Sequence, residues 1–192
     1  MKQFSIYLMF IIFWFSACKK SKVDQKAIAA ANGETYFSIR QFAKDQFNTY
    51  WEQPFSFQQI IKNNEHADTT IVTTSQVNWE EILVPFFAAD IGKTDLVGQY
   101  DFTIINEDAT VSKIYHYQAK NPELHTQQFQ VVTDPFNDRI KSIYIETKEK
   151  NWWKEKTEKL YYAPLKVIQI QSFESNLIGK NEQKLLEYRF MN

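Results

Sequence analysis

Cysteine is all but missing from this chain of 192 residues: Cys18 is the only one. One thiol excludes an intrachain disulfide and a thiolate-built metal centre, so the fold has to be held by packing. Glycine is nearly as scarce, with four residues, and neither a glycine-rich phosphate loop nor a nucleophile elbow can be read anywhere. The three histidines, His66, His116 and His125, stand outside any helical ligand spacing, so solvated or structural roles are expected for them, with no metal and no cofactor. An excess of one charge is absent as well. The 22 basic side chains face 23 acidic ones, net −1, which lacks the basic surplus of a nucleic-acid binder. No internal repeat or linker divides the sequence. The most apolar run, residues 6–15, falls short of the roughly 20 residues that a membrane-spanning helix needs.

What is present begins with that run. Lys2 precedes it, and the small residues Ser16 and Ala17 follow it, directly before Cys18. A basic start, an apolar stretch and small residues at a cleavage point are the parts of an export signal. Plain secretion and an uncleaved anchor are the alternatives. Both leave an exported thiol without a partner, a difficulty that lipidation of the sulfur removes. Phe15-Ser16-Ala17-Cys18 resembles the lipobox of bacterial lipoproteins, with Phe15 where leucine is usual. The resemblance implies a signal peptide over residues 1–17 and lipid attachment at Cys18, through acyl chains that contribute about 0.8 kcal/mol per buried methylene. Lys19, Lys20 and Lys22 would then lie beside anionic headgroups. Lys19, in place of the aspartate that retains lipoproteins in the inner membrane, implies outer-membrane delivery. Surface-exported lipoproteins often carry acidic residues just after the cysteine, so by the same resemblance their lack after Cys18 implies the leaflet facing the periplasm.

Residues 18–33 read as a polar, lipidated tether, and 34–192 as a single domain. Tyr36, Ile39, Ala43, Phe47, Tyr50 and Trp51 recur three and four apart, widened by Phe37 and Phe42, which predicts a long helix over 35–53 that Pro54 breaks. Residues 55–61 fit a strand or a turn. The β-branched stretch 67–74 predicts a strand. Ser75 then caps a short amphipathic helix carrying Val77, Ile82, Leu83, Phe86 and Phe87, with Pro85 an awkward member. From Tyr100 onward, alternation and turn residues predict strands near 100–104, 110–118, 127–133, 140–147, 151–162, 165–173 and 185–191. The expected fold is α+β. An antiparallel meander of about six or seven strands would pack one face against one long and one short helix, with the other face polar or curled round a pocket.

Three stretches carry a family likeness. They are Tyr36-Phe37-Ser38-Ile39, then Asn78-Trp79-Glu80-Glu81-Ile82 with Phe86-Phe87-Ala88-Ala89-Asp90-Ile91-Gly92-Lys93, and Leu160-Tyr161-Tyr162. They resemble a family of uncharacterised lipoproteins of the Bacteroidota, whose members combine a Tyr-Phe-start helix, a Trp-Glu segment leading to Ala-Asp-Ile-Asn-Lys, and a strand-rich second half. Gly92 stands where asparagine is common. The likeness covers most of the chain after Cys18 and implies no activity, cofactor or catalytic residue.

Among residues that could carry function, adjacent Glu80 and Glu81 diverge by about 100° on a helix and cannot converge on one substrate. Trp79 is expected in the core, and Asp90 at a helix end. Trp152 and Trp153 are the oddity. On a strand they would point to opposite faces, so one has to leave the core, amid Glu149, Lys150, Lys154, Glu155 and Lys156. An aromatic rimmed by charge marks a candidate partner-binding site. Tyr115, Tyr117, Tyr144, Tyr161 and Tyr162 either line a groove or form cross-strand pairs. The expected function is that of a membrane-tethered, non-enzymatic envelope lipoprotein that binds a protein partner. The alternatives are a periplasmic carrier or sensor of an apolar ligand such as a lipid, and a hydrolase with an unrecognised site.

Overall fold

The computed structural model describes residues 36–191. The signal peptide, Cys18 and the tether over 18–33 lie outside the described residues. Among the described residues two helices, α1 (Ile39–Tyr50) and α2 (Trp79–Ala88), accompany nine strands. These are β1 (Ser56–Asn63), β2 (His66–Thr73), β3 (Tyr100–Glu107), β4 (Ser112–Ala119), β5 (Thr126–Thr133), β6 (Ile140–Lys150), β7 (Lys154–Ala163), β8 (Val167–Asn176) and β9 (Glu182–Met191). All nine form one antiparallel sheet in the order β2-β1-β9-β8-β7-β6-β5-β4-β3. No helix among the described residues is long and apolar enough to cross a membrane.

This corrects the expected meander of about six or seven strands against one long and one short helix: the strands number nine, and the helices have 12 and 10 residues. The extra strands come from the hairpin of β1 and β2, which joins the sheet through β9, with Phe57 opposite Phe190 and Ile61 opposite Leu186. The first helix is shorter than its aromatic stripe because Ser38 caps it: the Ser38 backbone is extended and its Oγ accepts the Gln41 N–H at 3.2 Å. Tyr36 and Phe37 therefore pack from the chain ahead of the helix. Pro85 does not break α2. It removes only the amide that would bond the carbonyl of exposed Glu81, near the start of the helix.

One face of the sheet forms the core. Tyr117, Phe129, Ile145, Leu160 and Ile170 are successive cross-strand partners from β4 to β8, all buried on the same side. The helices cover them. Phe42 of α1 and Phe86 of α2 meet the Tyr162 ring edge-on at 5.6 and 6.4 Å. Trp79 packs against Phe47 and Phe57, and its Nε1 donates to the Thr74 carbonyl at 3.1 Å. Each large apolar side chain so buried contributes about 1.5–3 kcal/mol.

The start of α1 is held by residues that follow α2. Buried Asp90 accepts the Arg40 amide at 3.3 Å and the Gly92 amide at 3.4 Å, placing a carboxylate at the positive end of α1. Gly92 is required there: a Cβ would stand 2.7 Å from the Cβ and 2.9 Å from the Cα of Ser38.

Candidate functional site

The far face of the sheet carries neither helix. Register puts His116, Gln130, Tyr144, Tyr161, Gln169 and Glu187 in one row across β4 to β9, with Gln118, Gln128, Glu146, Lys159 and Gln171 in the row beside it. Alternation alone produces this: the odd-numbered apolar positions of β6 face the helices, and the intervening polar ones face out. Apart from exposed Gln118 and buried Glu187, these side chains are half-buried. The Tyr144 hydroxyl donates to Glu146 at 3.1 Å, and burial, reinforced by that carboxylate, pushes its phenol up to about 12. Buried Glu187 accepts from Arg189 Nε. The two border a depression of about 490 Å3 with Tyr161, Val167 and Gln169. His116 Nε2 is buried without a hydrogen-bond partner among the described residues.

The tyrosines therefore divide. Tyr115, Tyr117 and Tyr162 belong to the helix side, where Phe102 packs on Tyr117 at 4.8 Å, while Tyr144 and Tyr161 are direct partners on the open side. No single groove unites the five.

Trp152 and Trp153 lie on the turn between β6 and β7, so the strand-parity expectation does not apply and both reach solvent, 80% and 48% exposed. Asn151 shapes the turn, its Oδ1 accepting the amides of Trp153 at 3.2 Å and Lys154 at 2.8 Å. The two indoles meet edge-on at 4.6 Å. The Leu177 amide donates to the Trp153 carbonyl at 2.9 Å, which seats the β8–β9 turn beside them and adds Leu177 and Ile178, 73% and 91% exposed. Lys148 and Lys150 bond Glu155 at 2.8 and 3.3 Å, and Lys154 bonds Glu174 at 2.6 Å. These bonds hold both carboxyls below the usual range.

The catalytic candidates stay apart. His66 opens the exposed edge strand β2. His125 Nδ1 lies 3.4 Å from Glu149 in a depression whose lining, Pro122, Glu123, Lys148, Glu149 and Lys150, offers no hydroxyl or thiol. Glu80 and Glu81 stand in the first turn of α2, where carboxylates suit the helix dipole. Glu81 also borders a groove of about 260 Å3 with Glu158, Ser172 and Lys184, a grouping invisible to sequence spacing. No group of three or more potential metal ligands occurs among the described residues. Between helices and sheet, Phe42, Gln46, Trp79, Ile82, Phe86 and Tyr162 line a cleft of about 30 Å3, room for little more than a water molecule.

Sequence reasoning missed Leu177, Ile178, and the Glu187–Arg189 pair. Leu177-Ile178 before Gly179 was a legible signal, an apolar pair in a turn. The fold and these surfaces define a class, a single open antiparallel sheet with two helices on one face and a polar second face. No family model, curated protein or solved structure matches the chain.

Proposed function

We propose that this protein is a membrane-tethered, non-enzymatic lipoprotein of the cell envelope, related to the Bacteroidota lipoproteins it resembles, that presents the open face of its sheet to a protein partner. The anchor would be acylated Cys18, in the outer membrane facing the periplasm. The observation that carries the partner reading is the extent and make-up of the open face. Nine strands about 4.8 Å apart and about 27 Å long offer roughly 1,000 Å2, against the ~800 Å2 each side of a standard interface buries. Tyr144, Tyr161 and Arg189 are side chains that interfaces favour. A small ligand would use only a fraction of that area.

A carrier of an apolar ligand is the second reading, favoured by the apolar lining of the helix–sheet cleft. An acyl chain would need α1 to move aside, because the present volume is too small. No arrangement among the described residues favours a hydrolase.

The test places a photo-crosslinking amino acid at Tyr161 in intact cells. A discrete crosslinked protein is expected from Tyr161 and not from Val84 on the outer side of α2. Equal crosslinking from both, or none, removes the partner reading. In parallel, Cys18→Ser is expected to abolish lipid labelling and release the protein from membranes. Full membrane retention of an unlabelled wild-type chain would sink the anchor.

A further inference from the structure

The exposed apolar end of the sheet has a geometry of its own. Exposures of 80% at Trp152 and 91% at Ile178 are those of a convex tip. Two hairpin turns build the tip, tied by the Leu177–Trp153 hydrogen bond. Tryptophan at the rim with leucine and isoleucine beside it is the composition that settles at a membrane interface, indoles at headgroup depth and aliphatic side chains just below. No bare carboxylate of Glu155 or Glu174 opposes that approach, because lysines hold both.

The route of the chain points the same way. The Tyr36 hydroxyl accepts the Gly98 amide at 2.8 Å and lies against Tyr100, the first residue of β3, which pairs with Ala119, the last of β4. Lys148, near the end of β6, donates its amide to the His125 carbonyl in the loop that follows β4. Tyr36, the β4–β5 loop and the Trp152–Trp153 turn thus share one end of the sheet. From β3 to β6 is three strand spacings, about 15 Å. The chain from Cys18 to Tyr36 can span up to about 60 Å, so an anchor at Cys18 and the tip can reach one bilayer together.

We propose that Trp152, Trp153, Leu177 and Ile178 insert into the interfacial layer of the bilayer in which Cys18 is anchored, standing the sheet on the membrane with its open face turned to the periplasm. The proposal rests on the lipid-anchor reading for which bilayer is met, not for the tip itself.

The experiment purifies the full chain from membranes and reconstitutes it in phosphatidylethanolamine–phosphatidylglycerol vesicles carrying lipids brominated at shallow or deep acyl positions. Tryptophan emission from the tip is expected to shift to the blue and to be lost to shallow bromines more than to deep ones. The Trp152→Ser, Trp153→Ser double variant should lose that quenchable emission, leaving Trp51 and Trp79 unquenched. Leu177→Ser with Ile178→Ser keeps every tryptophan and should weaken the quenching, with thermal unfolding unchanged as the check on folding. Unshifted, unquenched emission from an anchored, labelled protein overturns the tip and leaves the anchor. Crosslinks from Trp153 to an envelope protein without quenching assign the tip to a protein and overturn the proposal. If the chain carries no lipid, the anchor reading falls, and the tip is tested by adding the same protein to the same vesicles: quenching upholds it and its absence overturns it.

Discussion

Phe129→Ala is expected to cost about 3–5 kcal/mol, a large share of the 5–15 kcal/mol by which a domain is ordinarily stable. Phe129 is fully buried on β5, between Tyr117 and Ile145 in register, with the Phe37 and Tyr117 rings 5.7 and 5.8 Å from its own. Phe37 lies just ahead of α1, so the truncation also loosens the seat of that helix. The melting temperature should fall by roughly 6–20 °C for a domain of this size. Ile71→Ala, on exposed β2, should stay within about 0.5 kcal/mol of wild type. Urea titrations of the two variants make the comparison, and similar losses for both would show that the packing of Phe129 is not what holds the sheet.

The second large effect is alkaline unfolding. Burial pushes the phenols of Tyr100 and Tyr117 up to about 12, and that of Tyr162 higher still. In the unfolded chain a tyrosine ionises near 10. Below pH 10 both states keep the proton, and the full stability is present. Between 10 and 12 the unfolded state gives up protons that the folded state retains, so stability falls as pH rises. Each such tyrosine removes about 1.4 kcal/mol per pH unit, and Tyr100 with Tyr117 together roughly 5 kcal/mol by pH 12. Chemical denaturation at pH 9, 10.5 and 12 reads the slope. Tyr117→Phe should flatten the slope by one tyrosine's share. A stability independent of pH across the window contradicts the burial account.

Local alternation was legible wherever one face of a strand is apolar. Ile143 and Ile145 against Tyr144 gave the correct two sides of β6. The pairing of β1 with β9 was not, because it joins residues more than a hundred positions apart, and periodicity carries no information about partners at that distance. β2 was legible only from its β-branched residues, since its exposure on both faces leaves no alternation to read. The ends of α1 were blurred because Tyr36 and Phe37 continue the helical spacing while Ser38 stops the helix. At the candidate site, the tryptophan pair stood out by composition. Its turn conformation depends on Asn151 accepting two amides, and its union with Leu177 on a single bond between distant turns.

The place of β9 in the sheet bears on when the protein can fold. Its neighbours are β8, just before it in the chain, and β1, near the start of the domain. For a chain threaded from its N-terminal end, as the proposed export requires, the β1–β2 hairpin arrives early and without its sheet neighbour β9. Trp79 can reach Phe57 early, but Phe190 at 4.6 Å and Tyr188 at 6.1 Å join it only after the last strand has emerged. Such late, long-range closure slows folding. Under the export proposed above, the same delay would keep the chain threadable until translocation is complete.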